Sequence, residues 1–428
     1  KGVFCMKQFN LTISENKQPF AFDGFNFPDF ISPSIHKGEM AQTHYFFRPS
    51  KQSVVSLKVD LKGAENNCRQ DLVRAKNKLS VDQDKFSYSQ TESQWWEYCL
   101  APHSFLPLED SMIQVGLNLF NRFLHVDFNS SLGRLVDPGI GNEMLSTTNW
   151  FDKSAGELWF ASWPVEGTVR RILNPLENIL VTIWKLSLRK NSIKQVWQGD
   201  FGDSLHQLSL SPDRSFLVLA ELGLYSEGKK LIESKILILN LKKKKNWQLS
   251  IPAAAHMEFD PEEKNICYIS CHNIGLMAVK VGIFGPGIIK KIRLDENGPK
   301  LEGEFSHPDF HRITTHIVFR HRGKTLIGVS GYPDKVFLID AATMKLYKII
   351  KLEQGEKVDI SVSPHLCGQD SYGIIASEDG EAILVSGTGF VSAAPIEEGK
   401  FSFTKEVNGY GSNSCFTGHV GVPSYLKE

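Results

Sequence analysis

The chain has 428 residues, too many for one ordinary compact core, which points to several domains or a closed repeat array. Lys plus Arg equals Asp plus Glu at 48 each, so net charge offers no argument for nucleic acid or an anionic membrane. Hydrophobic residues make up 41%, as in globular proteins, and no apolar run approaches the roughly 20 residues that cross a bilayer.

Gly2 to Ser14 alternates apolar positions and predicts a strand. Phe20 to Phe27 predicts a second, followed by a Pro-rich loop to about Gly38. His44-Tyr45-Phe46-Phe47, a turn at 48–52 and Ser53 to Val59 then form a hairpin led by a histidine. Residues 65–79 have a charged helical pattern and predict a short helical insertion.

His103-Ser104-Phe105-Leu106 restarts the pattern after that insertion, with a turn at Pro107 to Ser111. Asp127 closes its third strand 24 residues after His103, and Asp340 closes an equivalent strand 24 residues after His316. Asn149, His206, His256, His316 and Asp359 lead the later units. The seven markers lie 43 to 60 residues apart, near the roughly 40–50 residues of a four-stranded propeller blade. The predicted fold is therefore an all-β, seven-bladed β-propeller forming one domain over residues 1–428. Pairing of the N- and C-terminal strands closes the ring and removes exposed sheet edges. Eight blades, with His419 as the eighth marker, is the alternative.

The segment from His316 to Ile350 carries the fullest copy: a histidine, an apolar strand, a tight polar turn, and a strand ending Ile339-Asp340-Ala341-Ala342-Thr343-Met344-Lys345. It resembles the blades of YVTN and lactonase-like propellers. That resemblance implies a fold and no particular activity, since propellers host enzymes and binding platforms alike.

Five of the seven leading positions are histidine, although the chain has only 13 histidines. If those positions start the innermost strands, His44, His103, His206, His256 and His316 ring one axis at one height. Neutral imidazoles suit a transition metal. They leave Fe(II) its full charge and an open position for O₂ or substrate. Iron is the favoured metal, with Cu, Mn and Zn as alternatives. Asn149 and Asp359 complete the ring, and Glu143 and Glu258 are candidate carboxylates to orient the imidazoles. Carotenoid oxygenases resemble this arrangement in placing iron on axial histidines. His256 to Pro261 and Phe416 to His419 are faintly similar to their motifs.

The expectation is a metal-dependent enzyme acting oxidatively on a small organic substrate, with no nucleic acid and no membrane span. Two readings from other classes stay open. One is a metal-free scaffold propeller that engages a protein, its histidines bonding within the blades. The other is a lactonase-like hydrolase or lyase using a divalent cation.

Several signals are weaker. Seven irregularly spaced cysteines favour reduced thiols and an intracellular setting, while a start at Lys1 is compatible with a removed leader. Cys267-x₃-Cys271-His272 lacks a second pair at zinc-ligand spacing and predicts buried strand cysteines. His307, His311 and His321 cluster around His316 and predict solvated loop residues. Lys242 to Lys245 predicts a solvated hairpin turn.

Overall fold

The computed structural model describes residues 7–10, 12–17, 24–36, 41–60, 105–109, 112–116, 123–127, 132–136, 138–140, 143–145, 150–152, 155–164, 178–187, 189–202, 205–221, 233–252, 254–271, 274–276, 281–283, 287–310, 316–331, 335–351, 373–387, 390–399, 403–406 and 414–417. Among these the protein is all-β, with one 3₁₀ turn at Pro49–Lys51 and no α-helix. The helical insertion expected at 65–79 lies outside the described residues.

The strands form antiparallel sheets, numbered here in chain order, and among the described residues no sheet closes on itself. Sheet 4 holds Leu205–Leu210, Phe216–Glu221, Glu233–Asn240 and Lys245–Pro252. Sheet 5 holds Ala254–Phe259, Ile266–Cys271, Ile288–Asp295 and Gly298–Phe305, with a two-stranded ribbon between its second and third strands. Sheet 6 runs His316–His321, Lys324–Gly331, Lys335–Asp340 and Lys345–Lys351. Sheet 7 runs Gly373–Ala376, Ala382–Gly387, Phe390–Pro395 and Phe403–Glu406. In sheet 3, Glu143–Leu145 and Trp150–Asp152 both pair with Glu157–Pro164, followed by Ile179–Ser187 and Ser192–Phe201.

Turn chemistry recurs from sheet to sheet. Between the third and fourth strands, Asn240 Oδ1 accepts the N–H groups of Lys242 and Lys243, and Asp340 Oδ1 accepts those of Ala342 and Thr343. Both turns then use a left-handed residue, Lys244 at φ 55° and Met344 at φ 51°. Between the first and second strands, Ser211 and Ser377 accept the N–H groups of Phe216 and Ala382 at 2.9 Å each. Asp213 and Asp379 close the same turns on Ser215 and Glu381 at 3.0 Å. Such local bonds set the strand ends without help from the core.

Sheets 4 to 7 stack face to face. Val218, Ile236 and Ile238 of sheet 4 meet Met257, Cys267 and Ile269 of sheet 5. Tyr268 and Ile289 on the other side of sheet 5 meet Ile327, Val329 and Phe337 of sheet 6. Phe319, Leu326 and Leu338 of sheet 6 meet Ile374, Ile383 and Val385 of sheet 7. Second strands are largely apolar because both faces are covered: Phe216–Glu221 and Ile266–Cys271 are buried throughout, with Glu221 and Ser270 the polar exceptions. Each buried Val, Leu, Ile or Phe there contributes about 1.5–3 kcal/mol. Fourth strands are edges, and Gly298–Phe305 is largely exposed.

Charged pairs join the turn ends of neighbouring sheets. Arg214 of sheet 4 grips the buried Asp152 of sheet 3 through Nε–Oδ2 at 2.6 Å and Nη2–Oδ1 at 2.8 Å. Arg320 of sheet 6 meets Glu262 of sheet 5 at 3.0 Å, and Arg322 meets Glu381 of sheet 7 at 2.9 Å. The Glu378 N–H of sheet 7 donates to the Asn26 carbonyl at 2.9 Å.

Both chain ends join early sheets. The C-terminal strand Ser414–Thr417 pairs with Phe30–His36 of sheet 1, which continues through Ala41–Arg48 and Ser53–Asp60 to Thr12–Lys17. Lys7–Asn10 instead adds to sheet 2, beside Leu132–Val136, Phe123–Asp127, Met112–Gly116 and Phe105–Glu109. The single strand expected over Gly2 to Ser14 is thus two strands serving two sheets. Phe30–His36 runs through the expected Pro-rich loop. Strand Phe105–Glu109 likewise runs through Pro107, with a register shift between Pro107 and Glu109, and the reversal expected over Pro107 to Ser111 comes only between Glu109 and its partner Met112.

One leading position differs from the expectation, and another is not described. His44 lies on Ala41–Arg48, which is paired on both sides, opposite Pro33 and Leu57, and so is no edge strand. The strand expected around Asp359 lies outside the described residues, and sheet 7 takes its first described strand from Gly373–Ala376.

Candidate functional site

The site expected from the sequence rests on the first strands of the sheets. Their relative depth can be read from one recurrent backbone bond. Leu241, Leu294 and Ala341 donate to the carbonyls of Ser215, Asn265 and Thr325, marking the head of each second strand. Four residues on stand Leu219, Ile269 and Val329, which pair with Leu208, Met257 and His316. His316 therefore occupies the level of Leu208 and Met257. His256 is opposite Ser270, one step further along, at the level where Gln207 is opposite Ala220. His206 falls one residue beyond that, in a register shift between Leu205 and Gln207. His256 stands one step beyond the level of His316, and His206 falls in the bulge beyond Gln207.

Strand alternation then sets their directions. Cys267, Ile269 and Met257 face sheet 4, whereas Tyr268 faces sheet 6. His256 lies opposite Ser270, so it shares the Tyr268 side and faces sheet 6. His316 lies opposite Val329, which faces sheet 5. The two imidazoles thus enter the same layer from opposite sheets.

Gln207 fills the corresponding place one layer earlier. Its Oε1 accepts the buried N–H of Met257 at 2.5 Å, and its Nε2 donates to Glu258 Oε1 at 3.5 Å. It fastens sheet 4 to the first strand of sheet 5. His256 is 9% exposed, and its N–H donates to Ser270 Oγ at 3.1 Å.

His316 is 4% exposed, and neither ring nitrogen has a well-formed hydrogen bond. Burial lowers its pKa to about 4, only partly offset by the Tyr268 backbone carbonyl, which favours the protonated ring. The ring is therefore neutral near pH 7, the form that a metal takes. Cys267 and Cys271 are buried free thiols in the layer with sheet 4, and burial pushes Cys271 up to about 12. They match the expected strand cysteines and stay protonated, unsuited to ligation.

Among the described residues, no three His, Cys, Asp or Glu side chains converge in a way that could hold a metal. His103, Asn149 and Asp359 lie outside the described residues. Glu143 pairs with Pro164 at the far end of the Glu157–Pro164 strand from the Trp150–Asp152 pairing.

His321, expected as a solvated loop residue, is 1% exposed and tied into sheet 7. His307 stacks obliquely on Phe337 at 5.6 Å and accepts the Asp309 N–H. Lys242 and Lys243 are exposed in the turn after Asn240, as expected. Gln207 went unread in the sequence because it follows His206 directly, and only a bulge gives it the inward place.

No protein-family model matches the chain, and no curated protein is significantly similar to it. Among the described residues no helix is long and apolar enough to cross a membrane.

Proposed function

We propose that the sheets are the blades of one seven-bladed β-propeller, and that the propeller is a binding platform for a protein partner. Sheets 3 to 7 follow one another as neighbours, sheet 7 bonds to Asn26 between two strands of sheet 1, and the N-terminal strands link sheets 1 and 2. That succession supports a ring. One observation carries the function: Gln207, His256 and His316 aim into the layers between sheets, where they join or pack the blades. The turn ends carry Lys242 to Lys245, with Lys243 3.9 Å from Glu296, as well as Glu262 and Glu263 paired with Arg320 and Arg293, and so offer mixed charge for a polar interface.

A second reading is favoured by the neutral, unsatisfied His316 ring facing the His256 side of sheet 5. It keeps a histidine-held metal, iron first with Cu, Mn or Zn as alternatives, and oxidative chemistry on a small organic substrate. His44, His103 and His206 would supply the further ligands.

Metal analysis after anaerobic incubation with Fe(II) and with Cu separates the two. The platform reading expects less than about 0.1 equivalent bound. A full equivalent that His316→Ala abolishes, with the fold intact, transfers the function to the metal. The platform itself is tested by quantitative capture of protein partners on the full chain. Capture should fall when Lys243 and Lys244 are changed to Glu; capture indifferent to the turn ends overturns that surface.

A further inference from the structure

The turn ends of sheets 3 and 4 lie side by side. In sheet 3, Glu157 pairs with Asp152 on one side and Ser187 on the other, and Ser187 pairs with Ser192. Arg189 and Lys190 stand in the turn between Ser187 and Ser192. A Cβ at Gly156 would lie 2.9 Å from Arg189 Nε, so both turns of sheet 3 share one end. In sheet 4, Lys242 Nζ on Asp213 Oδ2 at 3.3 Å joins the two turns in the same way. Arg214, gripping Asp152, fixes the two ends together.

The charge of this surface is one-sided. Each carboxylate on it has a cation: Asp152 has Arg214, Asp213 has Lys242, and Glu157 has Lys185 at 2.8 Å. Lys243 reaches across to Glu296 of sheet 5 at 3.9 Å. Arg189, Lys190, Lys244 and Lys245 are left over. All are exposed, and none has an ion pair among the described residues.

The end of sheet 5 sets a limit to that positive field. Its Glu262, Glu263 and Asp295 are matched by Arg320, Arg293 and Lys300 and add no positive charge. A long polyanion or a flat anionic membrane would run from the lysines onto those carboxylates, and the zero net charge of the chain gives it no wider attraction. A short anionic segment avoids them. About six extended residues, roughly 20 Å, cover two neighbouring turn ends.

We propose that the turn ends of sheets 3 and 4 dock a short acidic peptide segment of a protein partner, with Arg189, Lys190, Lys244 and Lys245 meeting its carboxylates. This rests on the binding-platform reading and names the chemistry of the partner. Exposed charges of this kind select a partner and speed its encounter, and salt screens them.

The test uses the full chain and fluorescein-labelled hexa-glutamate, followed by anisotropy at about 0.05 M salt. Binding should be saturable. Lys190→Glu combined with Lys245→Glu should weaken it at least about tenfold. Lys351→Glu, a reversal at the far end of the last strand of sheet 6, should change it less than about twofold. No saturable binding overturns the proposal, and so does equal weakening in Lys351→Glu. Tighter binding of hexathymidylate or of phosphatidylserine vesicles, with the same dependence on Lys190 and Lys245, overturns the choice of a peptide. Those results leave the platform standing if partner capture still depends on Lys243 and Lys244. A full equivalent of metal lost in His316→Ala instead removes the platform and the docking with it.

Discussion

Gln207 Oε1 accepts the Met257 N–H at 2.5 Å across the gap between sheets 4 and 5. Met257 opens no bond of its own choosing, since its side chain is packed between the sheets. The bond instead joins a side chain on one sheet to the main chain of the next, at the edges where first strands meet. Gln207→Leu leaves that N–H buried and unsatisfied, so we expect a loss of about 1–3 kcal/mol. Chemical denaturation with an unchanged m-value checks it, and a neutral result would show that the contact is not maintained in solution.

His316 stands where sheets 4, 5 and 7 place Leu208, Met257 and Ile374. His316→Leu should therefore stabilise the protein by about 1 kcal/mol near pH 7, by removing unsatisfied buried nitrogens. The pH dependence has a definite sign. The folded value, about 4, lies below the ordinary 6.5, so the folded state binds fewer protons than the unfolded one between them. The contribution is full above about 6.5 and is lost as pH falls through about 4, a span of roughly 3 kcal/mol. Denaturation midpoints from pH 7 to pH 4 should fall less steeply in His316→Leu than in the parent.

Gly380 and Gly323 make a matched pair. Both have positive φ, 71° and 79°. A Cβ at Gly380 would lie 1.7 Å from the Arg320 carbonyl oxygen, whereas one at Gly323 would meet nothing within 4 Å. Gly323→Ala should cost about 1 kcal/mol, the conformational part alone. Gly380→Ala should cost upwards of about 3 kcal/mol, because backbone must move. Thermal unfolding of the two variants side by side separates conformation from contact.

Asp152 is 1% exposed and takes both Arg214 bonds together with the Ala155 N–H at 3.1 Å. Arg214→Ala strands a buried carboxylate and should cost roughly 2 kcal/mol, discounted because Arg214 is half exposed. Asp152→Asn in that background should recover part of the loss. A double-mutant cycle showing simple additivity would mean that the pair is not coupled.

The repeat was legible in the sequence, because local chemistry writes it. Asn240 and Asp340 cap equivalent turns, Ser211 and Asp213 bond across the strand-to-strand turn at Pro212, and the largely apolar second strands announce coverage on both faces. The strands and their approximate starts from Trp150 to Lys351 follow from such signals. The depth and direction of each histidine did not. Side chains on a strand alternate with a period of two, so one shifted residue sends a side chain to the opposite layer. The register shifts beside His206 and His256 move backbone pairings that no composition or spacing records. A common spacing of histidines along the chain was therefore compatible with one ring or with several layers. The sequence by itself determined that the chain folds into repeated β units. Only the packing of one sheet on the next decided that His256 and His316 enter a shared layer and that His321 belongs to its neighbour, since those contacts join residues that no local rule connects.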